Sequence, residues 1–264
     1  MSARLAFSMR DRPIPHRKDG RIMVIIHDKR LPAEYRQALL DGVKGVTLFP
    51  FGGMHASGAG TEVYESVSCH PDIYFFQLDE RTVIHAPGLP EELLRSLKEA
   101  GVELIRGEGD PHGPYPHTAR YNAARVGNFI FHNLSYTDPF ILDAARERGL
   151  RSVNVAQGYA RCSVLSVNDR TIITADKGIA AAAGAENMDV LLLSPGSVLL
   201  PGEKYGFIGG AGGRAPDGTV ILLGDPGLHP EASEIKGFLD EHAAGRVFLE
   251  GMPVYDAGGL MIFD

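Results

Sequence analysis

One order of elements returns four times along this chain, and that recurrence restricts its fold more than any other feature. From Asp72, DIYFFQLDERTVIHAP reads as two apolar strands about the turn Asp79-Glu80-Arg81, LPEELLRSLKEAG as an amphipathic helix, and VELIRG as a third strand. From Asn122 the order repeats in NAARVGNFIFHNLS, TDPFILDAARERG and LRSVNVA. From Ser163, SVLSVNDRTIITAD turns at Asn168-Asp169 and precedes the helix GIAAAAGAEN and the strand DVLLLS. From Tyr205, YGFIGG and GTVILLGD flank a glycine-rich connection, ahead of the helical HPEASEIKGFLDEHAAG and the strand RVFLEG. Each unit occupies about 40 to 50 residues, a spacing typical of repeat architectures.

The two ends of the chain together supply a fifth unit. IMVIIHDK, LPAEYRQALLDG and VKGVTLFP give strand, helix and strand without a hairpin partner, and the C-terminal VYDAGGLMIFD supplies one strand and no helix. Joining the termini removes the open sheet edge that would otherwise invite aggregation. Pro32, Pro90, Pro139 and Pro230 open predicted helices, where a missing N–H costs nothing. The expected fold class is therefore α/β: a propeller-like ring of five strand-strand-helix-strand repeats, closed by the N- and C-terminal segments. The expected organisation is one domain over 1–264, with a polar N-terminal extension at 1–20. Its units fall at about 21–65 plus 251–264, 66–110, 117–157, 160–201 and 203–250.

A chain of 264 residues, 44% hydrophobic and 22% charged, has the material for a large core. Its net charge of −7 and scattered Lys and Arg argue against nucleic acid as a partner. No apolar run reaches the roughly 20 residues of a membrane span, and the N-terminus lacks the apolar centre of a secretion signal, so no membrane partner and a cytoplasmic location are expected. Cys69 and Cys162 form neither a disulfide framework nor a CxxC metal site, and no Cys/His spacing suits zinc. The motif GAGGRA, Gly210 to Ala215, runs into Pro216-Asp217-Gly218 instead of a helix, so no helix N-terminus awaits a dinucleotide. Neither metal nor cofactor is expected.

In a five-unit ring the first strand of each unit lines the central channel, and residues opening those strands converge. The candidates are Cys69, His70 and Asp72 from SCHPD, Arg120 and Asn122 from ARYN, Arg161 and Cys162 from ARCS, Gly209 and Gly210 from FIGG, and Asp256 from YDAGG. Asp225 and His229, in GDPGLHP, close a hairpin within reach of the same mouth. Each has a plainer role: Asp225 as a helix cap, Cys162 as a small buried hydrophobe, His70 as a turn residue, the glycines as relief for a crowded backbone. Arg120 and Arg161 are harder to set aside, because an arginine beside core strands needs a carboxylate or a ligand.

The ring of such units resembles the pentein superfamily, which includes arginine and agmatine deiminases, dimethylarginine hydrolases, amidinotransferases and a ribosome anti-association factor. SVLSVNDRTIITAD and GNFIFHNLS are similar to its hairpins, and FIGG to its EGGD-type strand start. QGYARCS, YGFIGG and DAGG look like a bacterial branch with the guanidine-modifying-enzyme fold. The resemblance implies a C-terminal catalytic cysteine, a mid-chain histidine and carboxylates that hold a guanidinium. Leu260, Met261, Ile262 and Phe263 stand where that cysteine is expected, and none can attack.

A relocated site would draw on Cys162, or on Cys69, with Arg161 lowering the thiol pKa. His229 or His70 would serve as general acid/base, and Asp225 or Asp72 would orient it. His70, Asp72, Arg120, Asn122, Arg161, Gly209, Gly210 and Asp256 would form the substrate-binding set. The expected function is a small-molecule-binding pentein, a hydrolase or transferase of a guanidino or amide-like metabolite through a non-standard site. The alternative is a non-catalytic pentein that binds a small ligand, a guanidino or carboxylate compound, or a protein or ribosome.

Overall fold

A strand covered on both faces must be apolar along most of its length, and five segments here meet that demand. They are β1 (Met23–Asp28), β4 (Thr82–His85), β7 (Phe129–His132), β10 (Thr171–Thr174) and β13 (Thr219–Leu222), rich in Val, Ile and Phe and buried throughout. Each is the middle strand of a three-stranded sheet. The structure, a computed structural model, describes residues 23–54 and 63–264. The expected polar extension at 1–20 lies outside the described residues.

Four sheets repeat one topology. An inner strand runs antiparallel to the middle strand, and a helix crosses over to a third strand parallel to it. The inner strands are β3 (Phe75–Gln77), β6 (Ala124–Val126), β9 (Val164–Asn168) and β12 (Gly212–Arg214). The third strands are β5 (Glu103–Arg106), β8 (Arg151–Asn154), β11 (Asp189–Leu192) and β14 (Gly245–Phe248). The fifth sheet draws on both ends of the chain. There β1 pairs in parallel with β2 (Val46–Phe51) and antiparallel with β15 (Met261–Phe263), with Ile25 opposite Ile262. The expected sharing of one unit between the termini is present in this register.

The crossover helices are α1 (Ala33–Gly42), α3 (Glu91–Glu99), α4 (Pro139–Glu147), α6 (Lys177–Ala185) and α7 (Ala232–His242). Pro32 and Pro90 stand at N-caps and Pro139 at the first helical position, as expected. Pro230 precedes the cap Glu231 by one residue. The helix without a proline, α6, is started instead by Asp176, whose carboxylate accepts from Ile179 N at 2.8 Å.

Apolar packing crosses from unit to unit. One cluster combines Ile25, Leu39 and Tyr35 with Ile221, Leu223 and Ile262, and another combines Leu165 and Ile173 with Val220, Ile235 and Leu239. The segments leading into the inner strands differ from expectation. The sequence reading opens strands at DIYF and ARCS; instead Pro71–Tyr74 and Ala160–Ser163 each form one helical turn, α2 and α5, and the strands begin at Phe75 and Val164. Pro71 favours that turn by pre-setting φ at its first position. These turns bring the polar side chains of Asp72, Cys162 and Ser163 into buried positions.

Candidate functional site

The residues just before the inner strands meet in one buried cluster. Asp72 comes from α2, Cys162 from α5, Asn122 from the loop before β6, and Asp256 from the turn before β15. His70, Asp72, Asn122, Cys162 and Asp256 expose 3% or less of their surface. The Cys162 thiol donates to Asp72 Oδ2 at 2.8 Å. Asn122 Nδ2 donates to Cys162 Sγ at 3.2 Å and to the Asp72 carbonyl at 3.1 Å, while its Oδ1 accepts from Cys162 N at 3.1 Å. Asn122 thus fixes the thiol relative to the carboxylate from both sides.

Arg161 closes one side of the cluster. Its Nη1 donates to the Gly209 carbonyl at 2.8 Å, and its Nη2 to those of Gly212 at 3.0 Å and Leu260 at 3.2 Å. On the other side His70 lies between two acids, with Nε2 3.7 Å from Asp28 Oδ2 and Nδ1 3.9 Å from Asp256 Oδ1. Asp256 is held in place by the Phe207 and Gly258 N–H groups at 2.8 and 3.0 Å. Gly210 approaches so closely that an added Cβ would overlap the Asp256 carboxylate, and Gly258 would collide with His70 in the same way. Gly258 and Gly259 also sit at φ +71° and +72°, where a side chain is strained.

Burial governs the protonation of these groups. It is the main force that raises Asp72 to about 8, assisted by the negative charge of Asp256 and opposed by the Cys162 and Asn122 hydrogen bonds and by Arg161. Burial also pushes the Cys162 thiol well above its ordinary value, with Asp72 and Asp256 adding to the shift. The expectation that Arg161 would lower this thiol is therefore corrected, because the guanidinium is engaged by three backbone carbonyls and two acids face the sulfur. Burial lowers His70, against the pull of Asp256 and Asp28, and keeps the ring neutral at neutral pH. Two atoms in the cluster are buried without a hydrogen-bond partner: Asp72 Oδ1 and His70 Nδ1.

Three expected site residues serve elsewhere. Asp225 starts the 3-10 turn Pro226–Leu228, accepting from Gly227 N at 2.7 Å and from Gly251 N at 3.1 Å. His229 Nδ1 accepts from Glu231 N at 3.1 Å, at the start of α7. Asp225 is a cap, as its plainer reading has it, but of this 3-10 turn and not of α7, and His229 fastens the entrance to α7. Arg120 binds Asp138 Oδ2 at 2.7 Å and also pairs with Glu108, so its charge is met outside the cluster. Cys69 is buried with its sulfur 3.9 Å from Ser68 Oγ.

Sequence reasoning passed over Asp28. It also passed over the glycine pair 258–259 as space for His70 and Arg161. Asp28 follows the apolar run of its middle strand in IIHD, much as Asp176 does in IITAD and Asp225 in LLGD. Aligning the units on their middle strands would have drawn attention to it.

The amidinotransferase SxtG from Microseira wollei, of the saxitoxin biosynthetic pathway, is similar in fold, with a TM-score of 0.50 and 10% identity over 86% of this chain and 88% of that one. A dimethylarginine dimethylaminohydrolase adduct with 4-chloro-2-hydroxymethylpyridine gives a TM-score of 0.47 and 12% identity, over 87% and 92%. DDAH from Pseudomonas aeruginosa complexed with citrulline gives 0.47 and 9%, over 90% and 92%. No curated protein matches the sequence. No helix among the described residues is long and apolar enough to cross a membrane. Residues 56–261 match the family of unknown function DUF6873, so the chain belongs to that family.

Proposed function

We propose that the five units close into a propeller around the buried cluster, and that the protein is a hydrolase or transferase of a guanidino or amide-like metabolite. Closure is supported by β15 joining the N-terminal sheet and by apolar clusters that each span neighbouring units. The ligand class rests on one observation. Asp72 Oδ1 is fully buried without a hydrogen-bond partner, while the other oxygen of the same carboxyl holds the Cys162 thiol. A guanidinium offers planar N–H donors and a positive charge, which would satisfy that oxygen and draw Asp72 back towards its ordinary ionised state. The amidinotransferase of similar fold supports the same class.

In this reading a bound guanidinium turns Asp72 into a carboxylate able to take the Cys162 proton. The sulfur attacks the planar carbon, and the Asp72 proton passes to the leaving amine as the C–N bond breaks. Water or an acceptor amine then displaces the sulfur. In the same reading His70, which lies between Asp28 and Asp256, relays a proton in that second step.

The test is incubation with a panel of guanidino compounds and amides, following amine release and intact mass. The proposal expects release by one of them, abolished in a folded Cys162→Ala variant. Failure of every compound to react would refute catalysis. A second reading, a non-catalytic pentein that binds its ligand, is favoured by the raised thiol and by the apolar side chains of Leu260 and of β15. Equal binding by wild type and Cys162→Ala, without turnover by either, is its signature.

A further inference from the structure

The inner strands also bound a cavity of about 600 Å³. These four and β15 all contribute to its wall, through Gln77, Arg125, Ser166, Arg214 and Ile262. These residues lie towards the hairpin turns, whereas Asp72, Asn122 and Cys162 precede the strands at their other end. Arg161 belongs to both places, lining the cavity while holding the carbonyls beside the cluster. The volume is within the roughly 300–1,000 Å³ of small-molecule sites.

Charge in this cavity is sorted by depth. Glu80, Arg81, Glu103, Arg148 and Asp169 are exposed around the turns, with Arg148 paired to Asp79. Arg125, Arg161 and Arg214 are partly buried in the wall. Arg214 Nη1 meets Asp169 Oδ1 at 2.6 Å, but its Nε is a buried donor without a hydrogen-bond partner. Arg125 Nε donates to the Gly127 carbonyl at 3.2 Å, and Arg161 donates to carbonyls. Among the described residues neither Arg125 nor Arg161 has an ion-pair partner. Asp79, Asp169 and Glu80 act on Arg125 only at longer range, as Asp72 and Asp256 do on Arg161.

We propose that this cavity binds a small anionic metabolite, whose carboxylate or phosphate oxygens are held by Arg125, Arg161 and Arg214. Guanidinium forks match such oxygens in pairs, and a partly buried cation without a carboxylate gains from an anion brought by a ligand. The site is independent of thiol chemistry at Cys162.

The experiment is calorimetric titration of the full chain with inorganic phosphate, succinate and citrate at matched ionic strength, with tetramethylammonium as a cationic control. At least one anion is expected to saturate a single site, and comparison of phosphate with the carboxylates identifies the preferred oxygens. Arg125→Gln and Arg214→Gln should each weaken binding about tenfold, while Gly237→Ala, where an added side chain meets nothing, leaves it unchanged. Glu103→Gln, an exposed change at the rim, should strengthen it about twofold, which keeps the test open if an arginine variant fails to fold. No saturable binding of any of the three anions would overturn the proposal. So would an affinity that is unmoved by Arg125→Gln, Arg214→Gln and Glu103→Gln.

Discussion

Cys162 Sγ and Asp72 Oδ2 lie 2.8 Å apart in a buried cluster, so the ionisation of either group depends on the other. Asp72 binds its proton at about 8 in the folded protein and near 3.8 when exposed. Between those values the folded state carries more protons than the unfolded one, so this group makes stability fall as pH rises, by on the order of 1 kcal/mol per pH unit, with no further loss above the folded value. Asp72→Asn should flatten that slope. Urea unfolding at mildly acidic and mildly alkaline pH would measure it.

His132 makes the opposite contribution. It is buried between Thr137 Oγ1 at 2.6 Å and the Gly158 carbonyl at 2.7 Å, and burial lowers its pKa to about 4. The unfolded histidine takes up a proton near 6.5 and the folded one does not, so stability is lost as pH falls from 6.5 towards 4. His132→Gln should remove this titration and shift acid unfolding to lower pH, as read by circular dichroism against pH.

Gly210→Ala should be strongly destabilising, by about 3 kcal/mol or more, because the methyl group would overlap the Asp256 carboxylate and press on the His70 side of the cluster. Gly237→Ala, where an added Cβ meets nothing, should not be. Thermal melts of the two variants provide the comparison.

Arg161→Gln should lower stability by about 3 kcal/mol, since the carbonyls of Gly209, Gly212 and Leu260 would lose buried donors worth roughly 1 kcal/mol or more each. Arg161→Lys should recover only part of this, as one ammonium does not reproduce the planar fork. Chemical denaturation would separate the two.

Asp225→Ala should lower stability by about 1 kcal/mol through loss of the cap bond to Gly227 N, with any thiol-dependent turnover unchanged. A parallel loss of turnover would return Asp225 to the site.

Five sheets and their order were legible because each middle strand is a short apolar run and four of the crossover helices are announced by a proline, whereas the Asp176 cap of α6 went unread. The buried cluster was legible for a related reason: His70, Asp72, Asn122, Arg161, Cys162 and Asp256 all precede inner strands, and the repeat brings those positions together. Asp225 and His229 misled because an aspartate four residues before a histidine suits a helix entrance as well as a catalytic pair, and only the partners Gly227, Gly251 and Glu231 decide between them. Arg120 misled because Asp138, which neutralises it, is also the N-cap of α4, and a side chain serving two partners leaves no separate trace in the sequence. The direction of the Cys162 shift depended on burial and on two acids distant in sequence, Asp72 and Asp256, outweighing the neighbouring Arg161.

The most direct measurement is the infrared S–H stretch of Cys162, recorded in a Cys69→Ser background across pH, with and without Asp72→Asn and the guanidino panel. The account predicts a hydrogen-bonded S–H band that persists through neutral pH, shifts in Asp72→Asn, and changes when a guanidino compound binds. A band already absent at neutral pH, or one indifferent to both Asp72→Asn and every compound, would contradict it.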